Sequence, residues 1–281
     1  MTQDAKVRAH LVERAAEMIS RRAPEPEPTP LHSASSVTAL LTLPPDTVVP
    51  LDALLAAGLI PSGTGGLPGH AREEIALVQH QVLRVAERER RIVLVTSALP
   101  REGRSFIALN LAAGIATTGA RPALLVDADG RGGITRKLGL EARRGLRDLV
   151  AEPRHRGAEL ILPTALDRLF VLPHGLGSGR DATPGSTLAD TVRHLAATLP
   201  DHTLVLDAPA CLSASDAAAL AAIAGQVVLV VNAERTARNE VEAALDLLEA
   251  CPVLQLLLNR VRFRASDRFG ARNDEGTTHA P

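Results

Sequence analysis

The chain has 281 residues, which accommodates roughly one to two domains, and 46% of them are hydrophobic, enough to bury a core and to exclude a wholly disordered polymer. Thirty-one Lys plus Arg against 32 Asp plus Glu give a net charge of -1, so no global field draws the protein to nucleic acid or to anionic lipid. There is no Trp and no Tyr, and the four Phe residues exclude an aromatic stacking platform and any chemistry on a tyrosine of this chain. Only Lys6 and Lys137 are lysines; all other basic residues are arginines. Cys211 and Cys251 have no metal-type or redox-type spacing and read as small buried hydrophobes in a reducing compartment.

In chain order, Val7, Leu11, Ala15, Met18 and Ile19 recur at three- and four-residue spacing and predict an amphipathic helix over 4–22. This helix packs on its own domain or docks on a partner. Residues 1–22 lack the apolar core and small-residue cleavage site expected of a secretory signal. Pro24, Pro26, Pro28 and Pro30 then predict an extended linker. A short apolar segment, 48–60, follows, and a Gly-rich stretch ends at Gly69, so residues 1–69 are expected to form an adaptor rather than a fold. From His70 the rhythm changes to helices alternating with apolar runs. Strands are predicted at 92–96, 123–126, 169–172, 204–206, 227–231 and 253–258, with helices at 105–118, 188–199, 215–224 and 238–249. The expected fold is α/β, a mostly parallel sheet with helices on both faces, occupying 70–260. The longest uncharged stretch, 217–233, is broken by Gly225-Gln226 and reads as a helix followed by a strand. The polar tail, 261–281, is expected to be disordered.

Three segments carry chemistry. Ile92 to Thr96 leads into Ser97-Ala98-Leu99-Pro100-Arg101-Glu102-Gly103-Arg104-Ser105, a strand, loop and helix start in which a phosphate could be cradled by backbone N–H groups. Gly103 and Ser105 match the phosphate-loop consensus, while Ala98 replaces its first glycine and Arg104 its lysine. Taken alone, the loop is equally well an ordinary strand-to-helix turn. Leu124-Leu125-Val126-Asp127-Ala128-Asp129-Gly130-Arg131 and Leu204-Val205-Leu206-Asp207-Ala208-Pro209 place carboxylates at the ends of two more strands. In a parallel sheet these ends are where ligands bind, and strand-end carboxylates beside a phosphate loop suit a Mg²⁺ held against phosphate.

With the hydrophobic run followed by D-x-D-x-R, and the second followed by D-x-x-P, the chain resembles the bacterial tyrosine kinases, P-loop proteins that work with polysaccharide co-polymerases in capsule and exopolysaccharide export. The likeness runs from about His70 to Arg260 and includes Gly145-Leu146-Arg147-Asp148-Leu149, Gln226 to Val231 and Leu257-Leu258-Asn259-Arg260. The start, with Glu13-Arg14-Ala15-Ala16, resembles the branch beside exosortase-linked exopolysaccharide clusters. The resemblance implies a P-loop NTPase fold and ATP with Mg²⁺ as cofactors. It implies that Ser105 ligates Mg²⁺, that Asp127 ligates it or orients the attacking hydroxyl, and that Asp207 holds it through water. Asp129 and Arg131 would complete the second motif, and Asn259 would contact adenine. Gly103 and the backbone from Arg101 through Glu102 to Phe106 would wrap the β-phosphate, with Arg104 in the lysine position. The implied partner is a membrane-embedded polysaccharide co-polymerase or chain-length protein, with a homo-oligomer as a further candidate. Neither nucleic acid nor direct membrane insertion is expected, and the location is cytoplasmic, at the inner face of the membrane when a partner recruits it.

The departures from the family pattern matter as much. The usual P-G-E-G-K-S reads here Pro100-Arg101-Glu102-Gly103-Arg104-Ser105; the E-x-x-R-x-x-R oligomerisation segment falls on Glu74, Leu77 and His80; and the tyrosine-rich tail has no tyrosine. Three functions are compatible with this pattern. The first is an ATP-binding regulator of a co-polymerase with weak or no kinase activity and no tyrosine autophosphorylation. The second is a catalytically dead pseudokinase scaffold. The third is a positioning ATPase of the partitioning and septum-site group, against which stands Leu99, where that group places an extra lysine.

Overall fold

Ile92-Val93-Leu94-Val95-Thr96-Ser97 is a run of β-branched and aliphatic residues with nothing polar before its end, which only a strand covered on both faces can accommodate. In the computed structural model, which describes residues 48–60, 69–86, 91–119, 121–130, 133–152, 157–176 and 185–261, this run is β1, an interior strand of a seven-stranded sheet. Two helices precede it, α1 (Leu51–Ala56) and α2 (Gly69–Ala86). After it come α3 (Arg104–Thr118), β2 (Ala123–Asp127), α4 (Ile134–Lys137), α5 (Leu146–Ala151) and a 3₁₀ turn (Gly157–Leu160). The remaining elements are β3 (Leu162–Pro163), β4 (Leu169–Leu172), α6 (Gly185–Thr198), β5 (Thr203–Asp207), α7 (Asp216–Ala221), β6 (Gln226–Asn232), α8 (Arg238–Leu247) and β7 (Leu254–Asn259).

The strand order is β3-β4-β2-β5-β1-β6-β7, parallel throughout except for the short β3, which runs antiparallel to β4. One apolar layer joins the sheet to α5, α6, α7 and α8 through residues such as Leu149, Val192, Leu220 and Ala244. The other joins it to α1, α2 and α3 through Leu54, Val82, Leu111 and Ile115. The expected helix-covered parallel sheet is therefore the observed one. The chain leaves β1 in one direction, to β2 beyond β5, and leaves β5 in the other, past β1 to β6, and ligands in such sheets bind in the crevice where the connections diverge.

Three expectations change. Residues 48–60 pack onto the sheet rather than forming part of an adaptor ending at Gly69. Val49 pairs in parallel with Thr164, and Leu54 and Leu59 are buried in the α3 face of the sheet. The Asn110 side chain of α3 locks this segment in place: its Oδ1 accepts from Ile60 N at 2.8 Å and its Nδ2 donates to Gly58 O at 3.0 Å. Leu54→Ala is expected to cost about 2–5 kcal/mol, measured by urea denaturation; a loss below 1 kcal/mol would assign the segment back to a loosely attached linker. Second, Gly145-Leu146-Arg147-Asp148-Leu149 is structural. Asp148 Oδ2 accepts from Gly145 N at 2.7 Å and from Leu176 N at 3.1 Å, and a Cβ on Gly145 would lie 2.0 Å from Pro173 O. Third, α4, α5 and β3 were not anticipated at all. The helix expected over 4–22 and the tail beyond Val261 lie outside the described residues. Cys211 and Cys251 are buried free thiols, as expected. Among the described residues no helix is long and apolar enough to cross a membrane.

Candidate functional site

The carboxyl ends of β1, β2 and β5 meet at one edge of the sheet. Asp127 and Asp207 are direct neighbours in the β2–β5 register, and Asp207 is paired with Val95 across β1. Both carboxylates are fully buried. Asp127 is satisfied: Oδ1 accepts from Asp129 N at 2.9 Å and Oδ2 from Thr135 N at 2.7 Å. Asp207 is not, since neither oxygen has a hydrogen-bond partner. Burial first, and the neighbouring Asp127 second, push the Asp207 carboxyl up to about 7. The Ser105 hydroxyl and the Arg104 guanidinium oppose that rise, Ser105 through proximity rather than through a bond of normal geometry. Burial also raises Asp127, against its bonds from Thr135.

The loop between β1 and α3 rises over this pair. Its backbone turns left-handed twice, at Arg101 (φ 69°) and Gly103 (φ 101°). The consensus glycine expected at 101 is thus replaced by a side chain in a conformation that glycine adopts freely and arginine does not. At 103 a Cβ would lie 2.3 Å from Asn259 Nδ2, so only glycine fits. The turn directs Glu102 inward. It is 2% exposed, and its carboxylate accepts from Leu99 N at 2.8 Å, from Asn232 N at 3.0 Å and from the Thr236 hydroxyl. Asn259 Nδ2 donates to Glu102 O at 2.8 Å. Pro209 O accepts from Thr96 Oγ1 at 2.6 Å, and Cys211 N donates to Ser97 O at 2.8 Å, which fastens the segment after β5 to the same loop.

An open cavity of about 660 Å³ lies between these parts, lined by the Pro100–Ser105 turn, Asp129, Gly133, Lys137, Pro209 and Arg260 among others. Four cationic side chains (Arg101, Arg104, Lys137 and Arg260) face it with one carboxylate, Asp129. That charge suits a polyanion of nucleotide size. Arg104 is not free to serve it: Nη2 is ion-paired with Asp129 Oδ2, and Nη1 lies 3.4 Å from Ser97 Oγ. Gly133 presses on the acid pair from above, where a Cβ would sit 2.7 Å from Asp127 Oδ1 and 3.0 Å from Asp207 Oδ2.

The sequence-derived set is therefore brought together, with three changes of place. Arg101, Gly103, Arg104, Ser105 and Asp129 line the cavity, and Asp127 and Asp207 lie beneath it. Glu102 points away from the cavity and organises the loop, because its three donors lie on the sheet side. The Phe106 ring packs against Gly58 and the α3 core rather than on a ligand. The Asn259 amide braces Glu102, and its Oδ1 accepts from Arg260 N at 2.9 Å. Arg131 lies outside the described residues. Lys137, Arg260 and Gly133 were missed. Lysine scarcity was the available signal for the first, and proximity to the Leu257–Asn259 strand end was the signal for the second.

A parallel sheet with a loop-and-helix at its switch point and strand-end acids on the two neighbouring strands has the architecture of the P-loop nucleoside triphosphatases. No family model matches the chain. The chain is 36% identical over 166 residues to the putative tyrosine-protein kinase EpsB of Ralstonia nicotianae, a match covering 56% of this chain and 21% of EpsB. It is 33% identical over 189 residues to the succinoglycan biosynthesis transport protein ExoP of Rhizobium meliloti, covering 63% and 23%. The matched part thus spans less than a quarter of either relative's length. The kinase domain of the Escherichia coli tyrosine kinase ETK superposes with a TM-score of 0.59 at 25% identity, covering 74% of this chain and 86% of that domain. Over the matched residues and in its P-loop fold, the chain is similar to the kinase domains of bacterial tyrosine kinases.

Proposed function

We propose that the chain binds ATP with Mg²⁺ in the Arg101–Ser105 cavity and regulates a polysaccharide co-polymerase at the cytoplasmic face of the membrane, without phosphorylating a tyrosine of its own. The observation that carries this reading is the Asp127–Asp207 pair: two buried neighbouring carboxylates, one with both oxygens unpartnered, beneath a cavity rich in cations. Buried like charges without compensation are unstable, and a divalent cation bridging to phosphate relieves them. Among the described residues no cluster of three metal-ligating side chains exists. A phosphate-bound Mg²⁺ needs only one or two carboxylates, because phosphate and water complete its shell.

Ser105 and Asp127 would hold the ion directly and Asp207 through water. When bound, Mg²⁺ neutralises charge on the phosphate oxygens. Backbone N–H groups from Arg101 to Phe106 would wrap the β-phosphate. Asp127, held by Thr135 N and Asp129 N, is the group that orients an attacking hydroxyl. None of the 281 residues is a tyrosine, so an acceptor tyrosine would belong to another chain. The export role rests on the similarity to the succinoglycan biosynthesis transport protein ExoP.

One observation favours the scaffold reading instead. The cation at the lysine position is committed to Asp129, which weakens the stabilisation of transferred phosphate more than the binding of nucleotide. Calorimetry on the full chain separates the two. Saturable, Mg²⁺-dependent ATP binding is expected, weakened about tenfold or more by Asp127→Asn and strengthened by Arg104→Lys. No heat of binding at millimolar ATP would leave only the scaffold.

A further inference from the structure

We infer that Lys137, rather than Arg104, supplies the mobile cation that grips the outer phosphates of a bound nucleotide; this rests on the nucleotide reading above. In a phosphate loop that cation normally stands just before the helix hydroxyl, where it reaches the β- and γ-phosphates. Here the position is Arg104, and its guanidinium is already paired with Asp129, whose side chain is 4% exposed. Its Nε is buried without a partner. Reaching outward would take the positive charge away from a buried carboxylate, which is costly in a low-dielectric site. Arg104 therefore neutralises Asp129 within the wall of the cavity.

Lys137 lies on a different wall and is built to stay there. Gly133 rests directly on the Asp127 and Asp207 oxygens. The next two residues fix the turn that follows: Ile134 is fully buried, Thr135 N donates to Asp127 Oδ2 at 2.7 Å, and Thr135 Oγ1 accepts from His174 N at 2.7 Å. Lys137 comes one helical turn after Gly133, and both residues line the cavity that the Pro100–Ser105 turn closes from the other side. The backbone of α4 is thus anchored by a hydrogen bond to Asp127, while the lysine side chain is exposed and makes no ion pair among the described residues. A compact ammonium on a flexible four-carbon stem can follow a terminal phosphate where a guanidinium locked in a pair cannot. Lys137 is one of two lysines in the chain, and the other, Lys6, lies outside the described residues.

That scarcity makes the test direct. The full chain is treated with an acyl-phosphate derivative of ATP, whose acyl group passes to a neighbouring amine. The amine nitrogen forms an amide and loses a proton, the acyl–oxygen bond breaks and ATP leaves. Peptide mass spectrometry then reads the two lysines. Acylation of Lys137 that excess MgATP suppresses, with Lys6 insensitive to MgATP, is the expected result. In parallel calorimetry, Lys137→Ala is expected to weaken MgATP binding about tenfold and MgADP binding less, with Lys137→Arg restoring part of the loss and the unfolding temperature without nucleotide unchanged. If wild type binds MgATP but either readout fails, Lys137 is a solvated rim cation and the inference falls while the nucleotide site stands. If wild type binds no MgATP, the nucleotide reading falls and this inference with it.

Discussion

Asp207→Asn is expected to stabilise the metal-free protein by up to roughly 4 kcal/mol at pH 8 and to abolish Mg²⁺-dependent nucleotide binding. The carboxyl is pushed up to about 7 by burial and by Asp127, against an ordinary value of 3.8. Below about pH 4 it is protonated in folded and unfolded chains alike and carries no penalty. Between about 4 and 7 the unfolded chain releases the proton while the folded chain keeps it, so stability falls as pH rises. Above 7 the loss is complete. Urea denaturation in EDTA from pH 4 to pH 8 should show this decline in the wild type and a flatter profile in the variant. Asparagine keeps the shape but cannot carry the charge that a cation requires, so added MgATP should raise the stability of the wild type and leave the variant unmoved. A wild-type profile as flat as the variant's would remove the buried-acid account of the site.

Glu102→Ala is the second substitution with a large expected effect, roughly 3 kcal/mol or more of lost stability accompanied by loss of nucleotide binding. The carboxylate holds two backbone N–H groups and a hydroxyl from two parts of the chain, Leu99 in the loop and, at and after the end of β6, Asn232 and Thr236. Hydrogen bonds to a charged acceptor are the stronger kind, and their removal leaves buried donors without partners. Glu102→Gln retains the shape and one acceptor oxygen, so it should lose distinctly less. Equal losses for Ala and Gln, or a loss under 1 kcal/mol for Ala, would show that the loop holds its form without this carboxylate.

These two acids also mark where reading the chain succeeded and where it stopped. Asp207 and Asp127 were legible because each ends an unbroken apolar run, and a parallel sheet delivers such ends to one edge. Glu102 was legible as part of the loop but not in its direction. Left-handed turns at Arg101 and Gly103 send it to the sheet rather than to the cavity, and neighbouring residue types do not report a backbone angle at an arginine. Segment 48–60 was hidden by Pro- and Gly-rich stretches on either side. Its single helical turn has too little periodicity to register, and its worth lies in the long-range burial of Leu54 and in the hub at Asn110. The four residues of α4 fail to register for the same reason, and with them the place of Lys137.

What the sequence determined by itself was the set of elements in the sheet and the chemistry of the strand ends, because burial on both faces demands long apolar runs and charged residues can only follow them. It also determined that these 281 residues hold no tyrosine to modify and only two lysines to grip phosphate. The tertiary structure alone decided which cation is spoken for and which is available. That choice depends on Asp129 reaching Arg104 across the turn and on Asp127 fastening α4, contacts between segments 25 and 8 residues apart that chain order does not encode.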